Sequence, residues 1–130
     1  MDNLKELTQA EEQVMKVLWD LKQAYVKDIL DHFEEPKPAY TTVSTIIRIL
    51  ETKGFVSHES FGKTYRYFPL VQKSDYTQMF MKKFVGNYFG QSFHKMVSFF
   101  ASADKLSIQE LEAIKHLMES EIDKKKNNVK

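Results

Sequence analysis

The chain has 130 residues, enough for one domain or a small domain with an appendage, and its 42% hydrophobic and 28% charged residues suit a soluble protein. The absence of Cys excludes disulfide frameworks, thiolate metal sites and cysteine nucleophiles and fits a reducing cytoplasm; no apolar run approaches ~18 residues, so no membrane insertion is expected, and MDNLKEL lacks the features of a secretion signal. A net charge of +1 hides a segregation: residues 1–35 carry four Lys against nine Asp and Glu, residues 36–73 six Lys and Arg against two Glu, and residues 74–130 nine Lys against seven acids, so the basic excess is mid-chain, which points to nucleic acid.

The first helix opens at Thr8, which has capping-box spacing to Glu11. Ala10, Val14, Val17, Leu18 and Leu21 form its apolar stripe, with Trp19 at the edge as a core anchor. A shorter helix reads from Tyr25 to Phe33, with Val26, Ile29, Leu30 and Phe33 inward, and EEPKP at 34–38 breaks it. The third helix, 39–53, follows Pro38 and ends at Gly54, a residue suited to a left-handed cap. Val43, Ile46, Ile47 and Leu50 give it a core stripe. Thr41, Ser44, Thr45 and Arg48 recur on the opposite side, which has no acidic group until Glu51. A solvated helix face usually mixes Glu and Lys. Hydroxyls bond phosphate oxygens or base edges, and Arg is the commonest reader of guanine, so this face is suited to a DNA major groove.

Strands are expected over 55–60 and 64–69, flanking a Phe61-Gly62-Lys63 turn. Alternation puts Tyr65, Tyr67 and Pro69 on one side and Thr64, Arg66 and Phe68 on the other. Three helices and then a hairpin is the order of a winged helix-turn-helix, with 25–50 supplying the two crossing helices. This predicts a mainly α fold with a small β-hairpin wing: a DNA-binding domain over 1–72, followed by a helical region over 73–130.

In that second region Ser74 is a plausible cap, and Tyr76, Phe80, Phe84 and Tyr88 recur at i+4. Phe89, Phe93, Met96, Val97 and Phe100 extend the apolar pattern, with Gly86 and Gly90 separating helices. A last helix opens at Ser107 with Glu110 in capping-box position and Leu106 and Leu111 placed as a staple. Ile108, Leu111, Ile114 or Lys115, Met118 and Ile122 approximate a heptad seam, and Lys124, Lys125 and Lys126 meet the helix end. A piece of this size cannot cover so many aromatic faces by itself. The expected cover is a second copy, in a two-fold dimer through Tyr76, Phe80, Phe84, Phe93, Val97, Phe100, Leu111, Ile114 and Met118. The alternatives are packing on the N-terminal domain in a monomer, or a ligand pocket within 73–105, although no polar groups converge there.

Chemistry-bearing motifs are absent. His32, His58, His94 and His116 are isolated, so no metal site is expected, although His58 when protonated could touch a phosphate. GxSxG, P-loop and GxGxxG motifs do not occur. The adjacent pairs Glu11 with Glu12 and Glu34 with Glu35 point ~100° apart on a helix and read as solvated surface. No enzyme and no cofactor is expected.

LTQAEEQVMKVLW at 7–19, AYTTVSTIIRILETKGFV at 39–56 and GKTYRYFPL at 62–70 resemble the penicillinase-repressor family, also called BlaI/MecI. LSIQELEAIKHLME at 106–119 resembles that family's last dimerisation helix. The resemblance implies a homodimeric repressor on a palindromic operator, with an N-terminal winged helix and a C-terminal dimerisation region. It places Thr41, Thr42, Ser44, Thr45 and Arg48 on the recognition helix, and Lys63, Tyr65 and Arg66 on the wing. Two departures stand out. Beta-lactam-responsive members, which answer to a membrane sensor protease, are cleaved at an Asn-Phe bond before the last helix; MVSFFA at 96–101 has no Asn. Copper-responsive members use C-terminal cysteines, which this chain lacks. A winged helix can instead serve protein contact; here only Tyr40 and Ile49 flank the hydroxyl face, which favours DNA.

Overall fold

Thr8 starts the first helix as its spacing to Glu11 predicts: Thr8 Oγ1 accepts the Glu11 N–H at 3.2 Å, and Glu11 Oε1 accepts the Thr8 N–H at 2.9 Å. The computed structural model, which describes residues 4–103 and 106–128, continues as α1 (Gln9–Leu21), α2 (Val26–Asp31), α3 (Tyr40–Thr52), β1 (Val56–Phe61), β2 (Thr64–Pro69), α4 (Lys73–Phe89), α5 (Phe93–Ser102) and α6 (Ile108–Asn128). The first five elements form a winged helix-turn-helix.

α1 buries Glu11, Val14, Met15 and Leu18, a run at i, i+3, i+4 and i+7. The stripe is therefore rotated from the expected one: Ala10 is exposed, and Val17 and Leu21 are half-buried. It also corrects the reading of Glu11 as solvated surface. Glu11 is 5% exposed and pairs with Lys53 Nζ at 2.6 Å. Burial alone would raise its carboxyl pKa. The Lys53 hydrogen bond, the Thr8 N–H and the Lys53 charge outweigh that and hold it below the usual range.

α3 packs on α1 and α2. Ile29, Val43, Ile47, Leu50 and Phe55 are fully enclosed. The end of α3 is set by Gly54, at φ +84°. The Gly54 N–H donates to the Glu51 carbonyl at 3.0 Å and the Phe55 N–H to the Leu50 carbonyl at 2.9 Å, the paired bonds of a Schellman end. Phe55 enters the core at once, worth about 1.5–3 kcal/mol for a side chain of this kind.

β1 and β2 pair antiparallel from Val56↔Pro69 to Phe61↔Thr64, joined through Gly62 at φ +64°. Ala24 adds an isolated bridge to Tyr67, donating to its carbonyl at 2.9 Å and accepting its N–H at 2.8 Å. The segment between α1 and α2 thereby anchors the base of the wing.

The chain divides into two compact units, Met1–Met81 and Lys82–Lys130. The first half of α4 belongs to the first unit, which corrects the placement of Tyr76 among dimerisation residues. Tyr76 is 5% exposed, its ring 5.8 Å from Phe55 and 6.0 Å from Trp19. Its hydroxyl donates to Glu12 at 2.9 Å and accepts the Leu7 N–H at 3.3 Å. Trp19 Nε1 donates to the Val71 carbonyl at 2.9 Å beside it. Ser74 lies inside α4 instead of capping it, and Gly86 is also helical; the break comes at Gly90, φ +59°.

In the second unit, Phe84 meets Tyr88 and Phe89, and Phe89 meets Phe99, at centroid distances of 4.9, 5.9 and 5.7 Å. Ser92 caps α5 by accepting the Lys95 N–H. Ser107 and Glu110 form the expected capping box, both bonds at 3.1 Å. Val85 is the one buried residue among the described residues of this unit. Phe93, Val97, Phe100, Leu111, Ile114 and Met118 are exposed, and Phe84 is half-buried.

Glu11→Gln keeps the shape of the side chain but removes the charge facing Lys53. Unfolding free energy at pH 7 should fall by about 1–3 kcal/mol. Because the Glu11 pKa is depressed in the fold, its stabilisation is complete above the ordinary value of 4.5 and is lost as pH falls through the folded value. Urea denaturation of both proteins at pH 7 and in acid should show the gap closing in acid.

Candidate nucleic-acid interface

The buried stripe of α3 turns its other side to solvent. Thr41, Thr42, Thr45 and Arg48 are exposed, and Ser44 is half-buried among them. Tyr40 at 54% and Ile49 at 42% exposure flank this face. Arg48 Nε donates to the Ser44 carbonyl at 3.3 Å, which lays the side chain back along the helix, and Thr52 Oγ1 donates to the Arg48 carbonyl at 3.1 Å. Glu51 is the one acidic residue on α3, and its Oε2 lies 2.6 Å from His58 Nδ1 on β1.

Strand register places His58 opposite Tyr67 and Ser60 opposite Tyr65, all on one face of the wing. The His58 ring stacks on Tyr65 at 4.2 Å. Between this face, the first turn of α3 and the start of α2 lies an open cleft of about 740 Å³. Tyr40 and Ser44 line it from α3, Lys63, Thr64, Tyr65 and Tyr67 from the wing, and Tyr25 and Lys27 from the start of α2. Ser44, Lys63 and Tyr65 were readable from sequence as contact residues; Tyr25, Lys27, Tyr40 and Thr64 were not assigned to the site. Tyr40 stands one helical turn before Ser44, a spacing that could have found it. Nothing in the acidic segment around Lys27 marks it.

Arg66 is held apart from this group. It occupies the opposite face of the wing with Glu59 as its cross-strand partner. Its guanidinium lies 4.6 Å from the Phe61 ring centroid and 3.7 Å from Glu59 Oε1. The aromatic ring and the carboxylate fix its orientation.

Among the described residues no cluster of three or more His, Cys, Asp or Glu could hold a metal ion, and no helix is long and apolar enough to cross a membrane.

A sequence model described as Penicillinase repressor matches residues 7–120. The Methicillin resistance regulatory protein MecI of Staphylococcus aureus strain N315 is 29% identical over 120 residues, covering 91% of this chain and 98% of that protein. The Penicillinase repressor of Bacillus licheniformis is 24% identical over 127 residues, covering 97% and 99%. Among solved structures, the DNA-binding domain of the repressor BlaI in solution is similar at a TM-score of 0.50 and 26% identity, covering 58% of this chain and 94% of that domain. With a match across most of its length and a winged helix to carry it, the chain belongs to the penicillinase repressor family.

Proposed function

We propose that this chain is a DNA-binding transcriptional repressor. It acts as a homodimer that sets α3 of each protomer into the major groove of a palindromic operator and lays the β1–β2 wing along flanking phosphates. The observation that carries this reading is the outer face of α3. Hydroxyls and one guanidinium are exposed together there, the helix's single carboxylate is met by His58, and Lys63 and Tyr65 rim the adjoining cleft. Thr41, Thr42, Ser44 and Thr45 give phosphate and thymine-methyl contacts; Arg48 discriminates bases. Lys63 and Tyr65 meet backbone phosphates, and Arg66 acts from the outer face of the wing. Membership of a family that includes repressors, and the likeness to a DNA-binding domain, support it.

Residues 1–72 carry the DNA-contacting elements and 73–130 the helices offered to a second copy, although α4 packs with the first unit up to Met81. Phe80, Phe84, Phe93, Val97, Phe100, Leu111, Ile114 and Met118 supply the apolar surface. Exposed apolar area of this extent marks an association surface, and two-fold pairing is the commonest way to cover it. Such a protein works in the cytoplasm. Control by a membrane sensor protease draws no support from α5, where residues 96–101 hold no Asn.

Gel retardation on a fragment of the chain's own promoter, with salt varied, tests the reading. Arg48→Ala should weaken specific binding by ~1–3 kcal/mol and relax preference at one position per half-site; equal loss on random duplex would make Arg48 a phosphate contact. Lys63→Ala should weaken binding to every sequence and reduce the slope of log affinity against log salt by about one. Val97→Asp combined with Met118→Asp should give monomers in sedimentation and cost about tenfold or more in operator affinity, through loss of the second half-site.

A further inference from the structure

Wing and recognition helix are joined by one titratable contact. His58 Nδ1 lies 2.6 Å from Glu51 Oε2, and both side chains keep access to water, at 28% and 31% exposure. The imidazole also stacks on Tyr65, at 4.2 Å and 24°, and lies 5.5 Å from Tyr67. Few other groups bear on it. From α3 comes Glu51, with Arg48 and Tyr40 acting on the neighbouring Tyr67; from β2 come the phenols of Tyr65 and Tyr67. Glu59, on His58's own strand, points to the other face and pairs with Arg66. The Tyr67 phenol is pushed up first by burial and then by the Glu51 charge, with Arg48 pulling it down. It therefore stays protonated across pH 5–8, where imidazole side chains titrate.

Glu51 continues the Ser44–Arg48 line by a step of three along α3. Its charge therefore stands where phosphates approach a helix lying in the groove. A neutral His58 leaves that charge in place, and an imidazolium cancels it.

We propose that His58 is a positioning residue for DNA recognition. Its imidazolium neutralises Glu51 and holds Tyr65 at the wing, so that operator binding takes up a proton at this site. The inference rests on α3 being the recognition helix. Proton uptake at one site changes affinity by at most about tenfold per pH unit, in the direction of weaker binding as pH rises.

The test measures binding of the full chain to its promoter fragment at pH 6 and pH 8 at fixed salt. Wild-type affinity should fall between those values by about threefold to tenfold more than that of His58→Asn, which keeps a donor for Glu51 but no titrating ring. Glu51→Gln should bind at pH 8 about as tightly as wild type at pH 6. His58→Phe, which keeps a ring over Tyr65 but leaves Glu51 uncompensated, should bind weakly at both. Thermal melting checks that each variant is folded; if His58→Asn is not, Glu51→Gln decides alone. A pH profile of the folded variants parallel to wild type overturns the proposal and leaves the DNA-binding reading standing. Failure of wild type to retard any duplex at either pH overturns that reading, and the proposal with it.

Discussion

The angle between α3 and the wing depends on one residue, Phe55. Its N–H closes the end of α3 on Leu50, and its carbonyl accepts N–H groups from Leu70 at 2.8 Å and Val71 at 3.3 Å. Its ring is fully enclosed against Tyr76. Helix end, hairpin base and the approach to α4 thus converge on a single enclosed side chain and its peptide. Gly54 makes this possible: only a residue at ease with positive φ lets the chain reverse out of the helix and place the next side chain in the core. The Glu11–Lys53 pair holds the same corner from α1, so the exposed side of α3 is oriented largely by contacts made on its buried side.

Much of this was legible in the sequence because it is local. Periodicity of 3.6 separated the buried stripe of α3 from its hydroxyl face, and Thr8, Ser107 and Gly54 marked helix ends by side-chain chemistry that acts within three or four residues. Alternation assigned Arg66 and Tyr65 to opposite faces of the wing. What was not legible depends on partners distant in the chain. Glu11 reads as surface until Lys53, 42 residues on, is brought to it. Tyr76 shares an i+4 row with Phe80 and Phe84, and a row says which residues share a face without saying what covers it. The Ala24 bridge to Tyr67 leaves no mark in a single residue before a helix. Likewise the tie between Glu51 and His58 exists only because the hairpin folds back along α3.

The two units differ in how their apolar residues are disposed. In the first, valine, leucine, isoleucine and aromatic side chains from six elements, α1 to α3, both strands and the start of α4, enclose one another. In the second, ring contacts run along neighbouring turns of α4 and α5, and α6 buries none of its described residues. A winged helix whose core is closed by the start of α4, beside a helical unit with one buried residue among those described, is what a modular DNA-binding protein would combine. Family membership supplies the context: relatives that align over nearly the whole chain carry regulatory and repressor names.

The Ala24 bridge reaches only as far up the hairpin as Tyr67. Beyond it, from Glu59 to Tyr65, every residue of the ribbon is exposed, and its rings make only surface contacts, Phe61 with Tyr25 at 6.5 Å and Tyr65 with His58 at 4.2 Å. Side chains in this stretch can therefore change with little effect on the core of the first unit. With the wing lying along phosphates as proposed, a lineage could retune how firmly it holds them by editing those few codons, while the enclosed corner that aims the helix stays as it is.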